Sequence, residues 1–334
     1  MGRASSAKRA ARAGGTRDHT VPQMYLRNFG QHTGRRRYEL NVRRLTNIDK
    51  PFPATTTSIG AITGYYWGVT PDGDPHHAAE DLFTHLERRA ATVLRALLDD
   101  PDWALSPDWP LKPAQRRALA WWMAAQILRT TRQRKRLTHQ APSAQDMGHL
   151  PEEVQKLAHN NLHLQYIVEN IVTLTLVLDA RPWALGFSDA CLLTSDTPVV
   201  IWNRPDDDDQ LRAAALSSVM LPLDPHRFLY LPSPSEQADP RKRVDHLMHA
   251  KGSVGIALLQ VAYDVADQFV VHHPLHNPWE YWEPNRPSMP KPWEGDTRPA
   301  PQYLLEYPVF SPTENIERRW TIEHPPRRAT AETD

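Results

Sequence analysis

Asp74–Leu97, D-P-H-H-A-A-E-D-L-F-T-H-L-E-R-R-A-A-T-V-L-R-A-L, is where the hydrophobic period of this chain changes. Asp74 followed by Pro75 predicts an N-cap with proline at the first helical position. Ala79, Leu82, Phe83, Leu86, Ala90, Val93, Leu94 and Leu97 then recur at spacings of three and four, the period of a helix with one buried face. Upstream the period is two. Arg37–Val42 alternates polar and apolar residues, and Thr55–Ser58 with Ile62–Trp67 adds β-branched and aromatic runs leading to the turn at Pro71-Asp72-Gly73-Asp74. A β-rich first third feeding long helices predicts an α+β chain, with several long helices packed against a mixed or antiparallel sheet.

Downstream the helical reading continues. Pro113 opens a second helix predicted to reach about Thr138, and a third helical region runs from Pro151 to about Leu178, with Ile167–Leu178 apolar enough for the core. Ala184–Phe187 and Cys191–Thr194 read as a hairpin around Ser188-Asp189, followed by a Ser195-Asp196-Thr197-Pro198 turn and a strand Val199–Trp202. Val219–Pro225 and Phe228–Leu231 give another strand, turn and strand. Asp239-Pro240 predicts a helix to about Asp264, in which Gly252 and Gly255 allow close backbone approach, and Gln268–Val271 returns as a strand. The four aspartates Asp206–Asp209 read as an exposed loop. Residues 1–17 form a basic, disordered tail, 18–275 a single domain, and 276–334 an extended Pro/Trp-rich arm ending in disorder, with Trp279, Trp282 and Trp293 as its anchors.

Composition narrows the function classes. Across 334 residues, 39 Lys and Arg balance 39 Asp and Glu, so no global field recruits nucleic acid or membrane. No apolar run approaches the length of a membrane span, and the basic start lacks the hydrophobic core of a secretory signal. The one cysteine, Cys191, excludes an intramolecular disulfide framework and any multi-cysteine zinc or iron–sulfur site.

The stretch His19–Phe29, H-T-V-P-Q-M-Y-L-R-N-F, sets His19, Gln23 and Arg27 among core-grade Val, Met, Tyr, Leu and Phe. Pro22 can open a helix on which Gln23 and Arg27 share a face. On the acidic helix, Glu80 and Glu87 are two turns apart, a spacing that suits a hard divalent metal or a solvated face. Arg129 and Arg132, three apart near a helix end, could clamp a carboxylate or phosphate, or could answer the helix dipole alone. His159 and His163 have a zinc-compatible spacing without the glutamate of the metalloprotease pattern. Asp196 is either a turn cap or an acid held at a strand end, and Ser195 lies in no nucleophile elbow.

Taken together, His19-x-Val21-Pro22-Gln23-x-Tyr25-Leu26-Arg27-Asn28-Phe29, the Glu80/Glu87 helix, Arg129-x-x-Arg132, Thr194-Ser195-Asp196-x-Pro198-Val199 and Leu221-Pro222-Leu223-Asp224-Pro225 resemble the bacterial family catalogued as domain of unknown function 4238. The resemblance covers roughly residues 18–275. Met24 stands where an aromatic is expected and Thr197 where Asn is common. The family implies a bacterial, cytoplasmic protein and supplies no established activity. Two function classes follow from the residue types. One is a metal-dependent hydrolase or nuclease acting on nucleic acid, a nucleotide or another anionic, phosphate-bearing ligand. In it His19 and Asp196 do acid–base chemistry, Gln23, Arg27, Arg129 and Arg132 bind substrate, and Glu80 and Glu87 hold the divalent metal. The other is a non-catalytic binding protein in which the same residues form a buried polar network and the Trp-rich arm meets a protein partner.

Overall fold

A computed structural model describes residues 17–35, 37–69, 75–76, 78–99, 109–140, 152–202, 210–237 and 244–284. Residues 1–16 of the tail, the Asp206–Asp209 run and the arm beyond 284, with Trp293, lie outside the described residues, whereas Arg17, expected in the tail, opens a strand. The first strand, β1 (Arg17–His19), pairs antiparallel with β5 (Ala61–Thr63), setting His19 opposite Ala61. Between them come the one-turn helix α1 (Gln23–Leu26), β2 (Gln31–His32), β3 (Tyr38–Arg44) and β4 (Asn47–Thr55). The expected helix start at Asp74-Pro75 is corrected. Pro75 and His76 form a short strand, β7, against β6 (Gly68–Val69), and α2 begins three residues later, spanning Ala78–Asp99. Pairing of Val69 with Pro75 and of Gly68 with His76 decides it, while Asp74 lies outside the described residues. The apolar stripe of α2 is as expected, with Phe83, Leu86, Ala90, Val93, Leu94 and Leu97 all buried.

The second predicted helix is two. α3 (Pro113–Leu128) is buried over most of its surface, Trp122 fully, while α4 restarts at Thr131 and runs to Gln140. At the interruption, Arg129 leaves helical geometry and the Thr130 hydroxyl caps α4 by accepting from the Gln133 N–H at 3.2 Å. Two carbonyls freed there are answered from far along the chain. The His163 Nε2 lies 2.8 Å from the Leu128 oxygen, and the Tyr65 hydroxyl donates to the Arg129 oxygen at 3.3 Å. The third helix, α5 (Glu152–Ala180), is unbroken. Ile167, Ile171, Leu174 and Leu178 are buried, but Val168, Val172 and Leu176 are exposed, so the stretch expected wholly in the core buries one face.

Two five-stranded sheets complete the α+β architecture. In one, β3 pairs with β2, β4 and β14 (Phe269–His272), and β14 pairs with β9 (Thr194–Ser195), all antiparallel. The other has the order β10 (Val200–Trp202), β11 (Ser218–Pro222), β12 (Arg227–Leu231), β8 (Ala184–Ser188) and β13 (His246–Ala250). It is antiparallel except for the parallel β8–β13 pair. A short helix, α6 (Gln210–Leu216), precedes β11, and α7 (Ser253–Asp264) follows β13. Two expectations fail here. β8 and β9 belong to different sheets rather than one hairpin, and His246–Ala250, expected in a helix, is a strand. At Gly255 α7 lies against the end of β8, where an added Cβ would be 2.8 Å from the Ser188 hydroxyl.

Tyr25 of α1 joins the two sheets. Its hydroxyl donates to the Pro222 oxygen at 2.7 Å and lies 2.8 Å from the Thr194 hydroxyl, while its ring packs on Phe29 and Trp122. Asp224 and Arg227 form a buried pair at 2.6 Å, and Arg227 also donates to the Leu97 and Leu98 oxygens at the end of α2. Among the described residues, no helix is long and apolar enough to cross a membrane.

Candidate functional site

The polar centre of the molecule lies where β1, α2 and the end of α3 meet. β1 contributes Asp18 and His19, α2 contributes Glu80 and Glu87, and α3 contributes Gln126 and the departing Arg129. Arg129 is buried, and its Nη1 donates to Glu87 Oε1 at 2.8 Å. Its Nε and Nη2 donate to Gln126 Oε1 at 3.3 and 3.1 Å, and its guanidinium stands 4.9 Å from the Phe83 ring. Burial opposes charge on Arg129, but Tyr66, Glu87 and Glu80 around it outweigh that and raise its pKa. Asp18, also buried, accepts from the Tyr66 N–H at 2.9 Å.

His19 and Glu80 are the groups of this centre whose displacement bears on acid–base chemistry. Burial, together with the charges of Arg17 and Arg129, holds the His19 imidazole below its ordinary value, against the pull of Glu87 and of a hydrogen bond with the Thr57 backbone. The His19 Nε2 is buried with no hydrogen-bond partner among the described residues. Burial lifts the Glu80 carboxyl above its ordinary value, and the neighbouring Asp18 and Glu87 add to the lift. An imidazole lowered and a carboxyl raised from their ordinary values, both coupled to Glu87 and Arg129, bring the two groups' proton affinities closer together, as acid–base chemistry requires.

A second polar network surrounds the helix interruption. Arg134 stacks on Tyr65, 3.4 Å from the ring centroid, and donates to the Tyr65 oxygen at 2.6 Å, to Asn160 at 2.8 Å and to His163 Nδ1 at 3.0 Å. Burial and the adjacent Arg134 push the His163 imidazole down to about 3. With Nδ1 accepting from Arg134 and Nε2 against the Leu128 oxygen, His163 is committed to this network, so its four-residue spacing from His159 serves the packing here and not a zinc site. Asp196 lies beyond Tyr65. Its carboxylate accepts from the N–H groups of Asp267 and Gln268 at 2.9 and 2.8 Å, fixing the turn before β14. Burial, with the nearby Asp267 charge, pushes the Asp196 carboxyl up to about 7.

Of the residues expected from sequence, His19, Glu80, Glu87 and Arg129 therefore share one electrostatic neighbourhood. Gln23, the first residue of α1, is half-buried, and its side chain makes no hydrogen bond among the described residues. Arg27 is exposed, with its guanidinium 5.8 Å from the Tyr38 ring. Arg132 is buried in α4, across the interruption from Arg129, so the two arginines do not lie on one helix. Asp18, Gln126, Tyr66 and Arg134 complete the centre and its surroundings. Their roles depend on partners from other elements, which no local spacing announces.

One further constellation has no local sequence signal. Cys191 Sγ lies 3.7 Å from His226 Nε2 and 3.7 Å from His276 Nδ1, and the two histidine nitrogens are 3.3 Å apart. Among the described residues, it is the group of three His, Cys, Asp or Glu side chains with metal-ligand proximity.

Neither the curated proteins nor the solved structures yielded a match to this chain. The segments that meet in the structure, β1 and α1 with Tyr25, the Glu80/Glu87 helix, Arg129, Thr194–Asp196 and Pro222–Asp224, all fall inside a single family-model match over residues 17–276, and the chain belongs to the family described as protein of unknown function (DUF4238).

Proposed function

We propose that the protein is a metal-dependent hydrolase of phosphate-bearing substrates, nucleotides or nucleic acid, working at the centre formed by His19, Glu80, Glu87 and Arg129. The observation that carries this reading is the buried Nε2 of His19, which has no partner among the described residues, on an imidazole that burial holds below its ordinary value in the same electrostatic neighbourhood as Glu80 and Glu87. With the other ring nitrogen donating to the Thr57 backbone, Nε2 is the proton-free nitrogen and can take a proton from an attacking water. The charge balance argues for a cation. Asp18, Glu80 and Glu87 gather carboxyl groups around Arg129, whose guanidinium is already committed to Glu87 and Gln126, so a hard divalent ion held by the carboxylates would supply the positive charge a phosphate needs there. Magnesium or manganese is commonly held by one or two carboxylates plus substrate phosphate oxygens, and Glu87 commits one oxygen to Arg129. Asp196 acts as a positioning residue through the turn it fixes. The organisation that goes with this reading is one catalytic domain over 18–275, with the basic tail 1–17 and the Pro/Trp-rich arm 276–334 as appendages. Its setting is the bacterial cytoplasm.

The test is turnover of a panel of nucleotides, single-stranded RNA and DNA, and bis-p-nitrophenyl phosphate with magnesium or manganese, beside His19→Gln and Glu80→Gln variants checked for native circular dichroism. Activity that requires the metal and falls at least about 100-fold in folded His19→Gln supports the reading. No turnover by the wild-type protein, or full activity in His19→Gln, overturns it. A second reading, a non-catalytic binding protein with a buried polar network, is favoured by one observation: the Arg129 guanidinium is fully sequestered by Glu87 and Gln126. In that case His19→Gln and Glu80→Gln change stability and leave no activity to lose.

A further inference from the structure

We propose that Cys191, His226 and His276 bind one zinc-class divalent cation, independently of the His19 centre. The three donors come from three separate places: the loop after β8, the turn between β11 and β12, and the segment after β14. Their mutual distances match those of tetrahedral zinc. With Zn–S near 2.3 Å and Zn–N near 2.0–2.1 Å, tetrahedral angles put sulfur about 3.6 Å from each nitrogen and the nitrogens about 3.3 Å apart. The structure has 3.7, 3.7 and 3.3 Å.

The surroundings orient the donors as a metal requires. The His226 Nδ1 lies 3.0 Å from the Ser188 carbonyl oxygen. That carbonyl fixes Nδ1 as the protonated nitrogen and turns the lone pair of Nε2 toward Cys191, the outer contact that accompanies metal-bound histidine. The His226 backbone N–H is held by Asp224 Oδ1 at 2.9 Å. Cys191 is held by Tyr281, whose hydroxyl accepts from the Cys191 N–H at 2.6 Å. His276 closes a turn onto the His273 oxygen at 3.0 Å, and the segment that follows is pinned by Trp279 under Arg43, 4.3 Å from the ring centroid, and by Trp282 against Tyr263.

A thiolate–imidazole nucleophile pair is the competing use of these groups. It needs one histidine at the sulfur. Here two imidazoles stand at equal distance from the sulfur and at ligand–ligand distance from each other, which a metal explains and a simple pair does not. Three protein donors leave one tetrahedral position to water or an incoming ligand. Thiolate and imidazole donors select zinc over the magnesium or manganese suited to carboxylates. Bound there, the ion would tie the segment carrying His276 to two loops of the β8-containing sheet.

The full-length chain, freed of metal by chelator and titrated with Co²⁺, tests the proposal. Because the chain has one cysteine, any thiolate-to-cobalt charge-transfer band reports Cys191 directly. The expected result is one equivalent of Co²⁺, a charge-transfer band together with the intense visible bands of four-coordinate cobalt, and displacement by one equivalent of zinc. Cys191→Ser should abolish the charge-transfer band. His276→Ala should weaken binding beyond the roughly 10–100-fold that loss of an outer-shell partner costs, whereas the exposed His85→Ala should leave it unchanged. A wild-type protein that gives no charge-transfer band overturns the proposal whatever the variants do. So does a thiol that reacts rapidly with iodoacetamide and is not protected by zinc, the signature of the nucleophile pair.

Discussion

Replacing Glu87 by glutamine keeps the shape of the side chain and an oxygen able to accept from Arg129, and removes only the charge. That charge is the ion-pair partner of a guanidinium whose side chain is 1% exposed, at 2.8 Å, whereas Glu87 itself is 28% exposed. Stranding one member of a fully buried pair costs about 3–5 kcal/mol. The access of Glu87 to water, the two hydrogen bonds to Gln126 and the nearby Glu80 reduce this to about 2–3 kcal/mol. Urea unfolding followed together by far-ultraviolet circular dichroism and tryptophan fluorescence measures it. Coincident transitions with an unchanged slope make the midpoint shift a free energy. Adding Arg129→Met removes the stranded charge, so the double variant should be more stable than the sum of the two single losses implies, with a coupling of about 1–3 kcal/mol. A loss under about 1 kcal/mol in Glu87→Gln, or strict additivity in the double variant, would refute the view of Arg129 as a buried charge dependent on Glu87.

Two further measurements probe the surroundings. Stability should have a pH optimum shaped by opposing groups. His163, held near 3 in the folded chain against about 6.5 unfolded, contributes stability that is complete above about pH 6.5 and drains as pH falls toward 3. Asp264, pushed up to about 8 by burial, keeps its proton while the unfolded carboxyl ionises near 4, so it removes stability as pH rises from about 4 to about 8. Urea midpoints across this range should lose the alkaline slope in Asp264→Asn, which preserves the contact from Gln260 at 2.9 Å, and lose part of the acid slope in His163→Gln. Parallel profiles for wild type and variants would show that these groups are not the source. Gly186→Ala should destabilise by about 3 kcal/mol or more, because its Cβ would lie 2.1 Å from the facing Phe228 ring across the β8–β12 pair. Phe228→Leu in the same chain should recover part of the loss in thermal unfolding, and no recovery would place the strain elsewhere.

The sequence carried the elements whose signals are local. The three-and-four spacing from Leu82 to Leu97 and the proline at 113 mark helices that form, and the alternation at Arg37–Val42 marks a strand that forms. What it did not carry is partner choice. Ala184–Phe187 and Cys191–Thr194 satisfy every local rule for a hairpin, yet β8 takes β12 and β13 while β9 takes β14. The interruption at Arg129–Thr130 follows residues that favour helix, and it is stabilised by Tyr65 and His163, 64 and 35 residues away along the chain. The candidate centre was half legible. His19, Glu80, Glu87 and Arg129 stand out by type, whereas Asp18 and Gln126 acquire their roles only once β1, α2 and α3 meet. Cys191, His226 and His276 were hidden for the same reason, since 35 and 50 residues separate neighbours that a zinc motif in one loop would place a few positions apart.

The pairing of β3 with β14, Arg44 against Phe269, also governs the order in which this protein can be made. The partner of β3 leaves the ribosome about 225 residues after β3 itself, an interval of roughly 10–45 s at ordinary synthesis rates. During that time β3 can pair with β2 and β4 alone, and the edge reserved for β14 stays open to other strands. A nascent chain stalled before residue 269 would therefore display an unfinished sheet to chaperones, and release of the last strand would set the pace of maturation.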